Sequence, residues 1–178
     1  MTDQDAVRLD EAAEQAVMPP RRLGLVATIA AVVLVIDQLT KNWAVSSLPG
    51  RPPVEVIGSL RFNLAYNTGA AFSFGAGKGL GPWIGLVAMV VVLGLALGMT
   101  SRFAVGAVAA GLVAGGALGN LADRAFRGDT GLLSRAAIDF IDLQWWPVFN
   151  VADAGAVVGA LPLAVAGLRA PASCADEP

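Results

Sequence analysis

Residues 23–45 read LGLVATIAAVVLVIDQLTKNWAV. Leu23 to Ile36 carry no charge, and paired arginines, Arg21 and Arg22, precede them. A membrane-spanning helix needs about 20 mostly apolar residues. The run meets that length, yet Asp37 and Lys41 lie inside its last turns. A carboxylate within a span is costly and marks a functional site by default. Asp37 precedes Trp43 by six residues, which puts it about 9 Å deeper on a helix. Lys41 follows at i+4 and can pair with it on one face. A buried ion pair that only fixes the helix is the competing account. A secretory signal would also begin with basic residues and an apolar run, but Asp37 and Lys41 follow directly and no convincing small-x-small cleavage site appears.

The composition agrees with a membrane protein. Of 178 residues, 56% are apolar and 15% charged, against about 25% charged in soluble domains. The net charge is −2. Half the acids, Asp3, Asp5, Asp10, Glu11, Glu14, Asp176 and Glu177, sit in the two tails. Histidine is absent, which excludes Ser-His and Cys-His hydrolases and HExxH metal sites. Cys174 is the sole cysteine, so an internal disulfide and a CxxC pair are excluded.

Three further apolar runs follow. The spans are expected at about 23–45, 81–99, 103–121 and 151–168, forming one domain over residues 23–168. Residues 1–22 and 169–178 are read as cytoplasmic tails, and about 46–80 and 122–150 as extracytoplasmic segments. Trp43, Trp83, Trp145 and Trp146 then all fall near one boundary, as an aromatic belt would. Basic residues show only a modest bias. Gly111, Gly115 and Gly119 repeat a small-xxx-small spacing that lets helices approach closely in lipid. In segment 46–80, Val54, Val56, Leu60, Phe62, Leu64 and Tyr66 alternate with other residues, and Gly58-Ser59 marks a turn. That is strand periodicity, and it predicts a small sheet at the membrane surface.

The remaining polar residues gather at the same boundary. Asn120, Asp123 and Arg124 end the third span. Asn120 is expected to point into the bundle, while Asp123 and Arg124 could form a surface pair. Asp139 and Asp142 interrupt an apolar string, Ala137 to Leu143. Asn150 and Asp153 share a face at i and i+3, where Asn150 could cap the fourth span. Two carboxylates held close share a proton. One can then act as base toward water while the other donates.

Five segments in order resemble the lipoprotein signal peptidase (signal peptidase II) family. They are Asp37-Gln38-Leu39-Thr40-Lys41, the run from Tyr66 to Ser73, the run from Gly115 to Arg124, Ile138-Asp139-Phe140, and Phe149-Asn150-Val151-Ala152-Asp153. The resemblance implies four transmembrane helices with a small extracytoplasmic β-cradle. It implies an intramembrane aspartyl endopeptidase that removes signal peptides from diacylglyceryl-modified prolipoproteins, just before the lipidated cysteine. Its catalytic aspartates fall on Asp139 and Asp153. Asp37, Lys41, Asn67, Gly116, Asn120, Arg124 and Asn150 match positions that shape the site or hold substrate. Asp142, and behind it Asp123, are the alternatives to Asp139.

The resemblance also implies a multi-pass protein of the bacterial cytoplasmic membrane, with cytoplasmic termini and the site near the extracytoplasmic face. No metal or cofactor is expected. The expected partners are prolipoproteins and membrane lipid, without nucleic acid, and the chain is expected to act as a monomer. The rival reading is a small transporter or proton relay using the same aspartates. Relay residues would be distributed across membrane depth, and here the inner halves of the spans lack acids.

Overall fold

The computed structural model describes residues 19–68, 98–127 and 136–169, together with Gln4 and six positions between 87 and 95. Three helices are delimited: α1 (Leu23–Ser47), α2 (Ala104–Phe126) and α3 (Val151–Arg169). Three strands, β1 (Val54–Ile57), β2 (Leu60–Asn67) and β3 (Ala137–Asp142), form one antiparallel sheet in the order β1-β2-β3. Most of the expected span 81–99 lies outside the described residues, as do most of the N-terminal tail and residues 170–178. Val87, Val90, Val91, Val92, Gly94 and Leu95 are helical.

Two helices, α1 and α2, are long and apolar enough to cross a membrane, and α3 holds a shorter apolar stretch, Val151–Val165. Their burial is inverted relative to a water-soluble bundle. Lys41, Asn150, Asp37, Asp123 and Asp139 are among the largest fully buried side chains, while Leu39 is 63% exposed and Leu161 62%. Polar groups inside and apolar groups outside is the arrangement that lipid demands.

Small residues set the helix spacing. A Cβ on Gly115 would stand 2.8 Å from the Ala30 carbonyl oxygen, and one on Gly116 would collide with that of Ala152. Adjacent glycines of α2 therefore seat α1 on one side and α3 on the other. Gly111 repeats the contact with α1 near Ile29, and Gly159 of α3 meets the Ala109 carbonyl. At the end far from the sheet, the Arg22 amide donates to Ser101 at 2.8 Å and Arg102 to the Pro19 carbonyl at 2.7 Å.

The first hairpin forms where strands were expected, with Gly58 at φ 54° in its turn, but burial does not alternate along it: β1 is exposed throughout and most of β2 is half-buried. β3 was not expected as a strand. It pairs with β2 from Arg61↔Asp142 to Asn67↔Ala137, with an irregularity between Phe62 and Ala65. Trp43 stacks edge-on to Phe62 at 5.1 Å and to Phe140 at 6.0 Å, fastening α1 to the sheet. α2 runs to Phe126, past the expected end at residue 121. The extra turn carries Asp123 and Arg124 under the sheet.

Candidate active site

The cluster starts from α3, whose first amides need acceptors. Asn150 supplies a reciprocal cap. Its Oδ1 accepts from the Asp153 amide at 2.9 Å, and its own amide donates to Asp153 Oδ2 at 3.4 Å. The Ala152 amide donates to Asp37 Oδ1 at 3.0 Å. The sequence thus places Asp153 at a helix start, where the dipole favours negative charge.

The same Asn150 reaches across to β3. Its Nδ2 donates to Asp139 Oδ1 at 2.7 Å, and lies 3.0 Å from Asn120 Oδ1 and 3.2 Å from the Ile138 carbonyl. Asn67, diagonal to Asp139 across the β2–β3 pair, donates to Asp139 Oδ2 at 3.0 Å. Asn120 donates to Asp153 Oδ1 at 2.8 Å. Two amides, Asn120 and Asn150, therefore bridge Asp139 and Asp153. Both aspartates are buried, with exposures of 1% and 5%. Burial first, and then the charge of Asp153, push the Asp139 carboxyl up to about 7, against the pull of Asn67, Asn150 and Lys41.

Lys41 and Asp37 pair at 2.9 Å, as their spacing suggests. Asp123 is not part of a surface pair with Arg124. It is fully buried and binds Lys41 at 2.7 Å and Arg127 at 2.8 Å. The reason is the longer α2, which turns Asp123 inward and places Arg127 one helical turn on. Arg124 is buried too, donating to the Asn120 carbonyl at 3.1 Å. Gly116 lies in the α2–α3 contact and brings the two backbones together.

Asp142 belongs to a different environment. It is three residues from Asp139, so the two project from opposite faces of β3. Arg61 reaches it at 2.8 Å, Asn63 at 3.3 Å and the Gln144 amide at 2.7 Å. Burial alone would raise this carboxyl, but Arg61, Gln144 and Asn63 together hold it below the ordinary carboxylate range.

Sequence reasoning missed Gln38 and Arg127. The Gln38 Nε2, with two hydrogens to donate, lies 3.1 Å from Asp37, Asp123 and the Gly119 carbonyl, and its Oε1 accepts from Arg127. The i+4 spacing of Asp123 and Arg127 was the available signal for one of them. An apolar cavity of about 360 Å³ opens beside Asp153, walled by Trp145, Trp146, Phe149, Ala154, Val157 and Val158 among others.

Comparison with known proteins identifies the family. Residues 29–169 match the family model described as signal peptidase (SPase) II. Relatives named lipoprotein signal peptidase include one from Mycobacterium leprae, 44% identical over 85% of this chain and 75% of its own length. Another, from Mycobacterium avium, is 45% identical over 83% and 80%. A third, from Rhodococcus jostii, is 48% identical over 85% and 75%. Two solved structures described as bacterial membrane enzymes superpose with TM-scores of 0.73 and 0.69. Each is 25% identical and 98% covered, over 90% and 86% of this chain. With a buried aspartate pair, no histidine and a family match across most of its length, the chain belongs to the signal peptidase II family of aspartic endopeptidases.

Proposed function

We propose that Asp139 and Asp153 are the catalytic pair of an intramembrane aspartyl endopeptidase. It removes the signal peptide from diacylglyceryl-modified prolipoproteins by cutting just before the lipidated cysteine. The observation that carries the assignment is the double amide bridge, which brings two buried carboxyls from β3 and α3 to one place.

Charge balance supports a single shared proton. The cluster holds the buried acids Asp37, Asp123, Asp139 and Asp153, the buried cations Lys41 and Arg124, and the partly exposed Arg127 at its edge. One proton on the catalytic pair makes it neutral. The ionised carboxylate takes a proton from water, whose oxygen attacks the scissile carbonyl carbon, while the protonated partner donates to the carbonyl oxygen. Collapse then breaks the C–N bond: one hydroxyl of the diol returns its proton to the aspartate that gave it, and the leaving amine takes the proton that water gave up. The apolar cavity beside Asp153 offers an acyl chain a place next to this chemistry.

Four spans with both termini cytoplasmic would put the sheet and the pair near the extracytoplasmic face. Asp37, Lys41, Asn67, Gly116, Asn120, Arg124 and Asn150 then build the site rather than react in it. The test is cleavage of a diacylglyceryl-modified prolipoprotein by purified protein, followed by mass. Wild type releases the signal peptide, while folded Asp139→Asn and Asp153→Asn do not. Full activity in either variant removes that residue from the pair.

A further inference from the structure

Lys41 has no exposed surface, and its ammonium meets three acceptors. These are Asp37 Oδ2 at 2.9 Å, Asp123 Oδ2 at 2.7 Å and Asn120 Oδ1 at 2.9 Å. An ammonium has three N–H donors, so none is left for a peptide. What its partners bind next is the informative part. Asp37 accepts the amide of Ala152, the residue before Asp153, at 3.0 Å. Asp123 accepts the amide of Ile138, the residue before Asp139, at 3.2 Å. Asn120, with its oxygen turned to the ammonium, presents its NH2 to Asp153. One cation thus reaches both aspartates by three separate routes, two of them through the backbone immediately in front of them.

We propose that Lys41 is a positioning residue: through Asp37, Asp123 and Asn120 it fixes the spacing and orientation of Asp139 and Asp153 without touching substrate. The inference rests on reading those two as the catalytic pair. Aspartates carried by a strand and a helix from different parts of the chain need a common anchor. A misplacement of about 1 Å at a reacting group costs roughly a hundredfold in rate. A lysine acting only as mortar would stabilise the bundle without separating turnover from binding.

The experiment measures kcat and KM separately on a lipidated prolipopeptide, alongside amide hydrogen exchange of the same full-length protein in micelles. Lys41→Met is expected to lower kcat by about a hundredfold with KM nearly unchanged. The Ile138 and Ala152 amides exchange faster, while amides in the middle of α2 keep their protection. Asp37→Asn keeps one acceptor oxygen for two donors, the Lys41 ammonium and the Ala152 amide, so it breaks the link between them, speeds exchange at Ala152 alone and lowers kcat by a smaller factor. Asp123→Asn does the same at Ile138.

A folded Lys41→Met protein with wild-type kcat overturns the proposal. So does a loss of rate accompanied by faster exchange throughout all three helices, which is what mortar alone would give. Should Lys41→Met fail to fold, the two Asp→Asn variants decide: selective exchange without loss of kcat overturns it. Asp139→Asn and Asp153→Asn in the same assay separate this from the underlying reading. Activity in those would sink the pair, whereas loss there with intact Lys41→Met turnover sinks only the anchor.

Discussion

Asp139 keeps its proton up to about pH 7, and two measurable consequences follow. Activity that depends on one proton shared with Asp153 falls as pH rises through about 7. A pH profile of kcat/KM on lipidated peptide checks this, and a flat profile to pH 9 would contradict it. Stability moves the same way. In the unfolded chain this carboxyl ionises near its ordinary 3.8, so between there and about 7 the folded form holds the extra proton. Stability is therefore fullest below the lower value and is lost as pH rises through the upper one. Asp139→Asn removes that penalty, so its Tm is expected to exceed wild type at pH 8, with the gap closing toward pH 4. Asp142 behaves oppositely. Its carboxyl is held low by Arg61 and its neighbours, so its contribution is present above the ordinary value and lost as pH falls through the depressed one. Asp142→Asn is expected to cost about 1 kcal/mol while leaving kcat within about twofold, read from thermal melts and turnover together.

At the level of elements, α3 shows why capping and chemistry can be told apart. Asn150 both caps the helix and bridges to Asp139. Asn150→Ser keeps a capping oxygen but loses the reach to β3, so its Tm should stay near wild type while kcat falls. Asn150→Ala loses both and is expected to cost a further ~1 kcal/mol. On α2, Gly116→Ala forces a methyl into the Ala152 carbonyl, an overpacking worth roughly 1–3 kcal/mol, visible as a lower unfolding midpoint in micelles. The elements also show what the sequence could reveal. The hairpin was legible because Leu60 to Tyr66 alternate and Gly58-Ser59 turns. β3 was hidden because its acids are three residues apart and sit on opposite faces, so neither face reads as polar. The end of α2 was misplaced because Asp123, Arg124 and Arg127 look like an exit from lipid. In fact Asp123 is paired with Lys41 and Arg127, and Arg124 lies in the field of Asp139, Asp123 and Asp153. Asp37, Asp139 and Asp153 were legible as one cluster because three acids beside apolar runs fall at the same membrane boundary.

For the molecule as a whole, the expected topology can be read through Cys174. A membrane-impermeant maleimide should label it in inverted vesicles and not in intact cells. In a Cys174→Ser background, Ser59→Cys at the hairpin turn should show the reverse. Labelling of both from the same side would overturn the four-span arrangement. The inverted burial, with Lys41 inside and Leu39 outside, has the further consequence that the polar cluster is the interior around which the helices gather.

The glycine and alanine contacts along α2 carry a thermodynamic signature of their own. Gly111, Gly115 and Gly116 press on backbone carbonyls and on the stiff, β-branched Ile29 and Val33. Such residues have few rotamers or none to freeze, so bringing the helices together costs little side-chain entropy. Their apolar surroundings when apart are acyl chains rather than water. Separating the helices in a bilayer should therefore change the heat capacity far less than unfolding a soluble domain of equal length. The stability curve should be nearly straight with temperature, and cooling should not loosen the bundle.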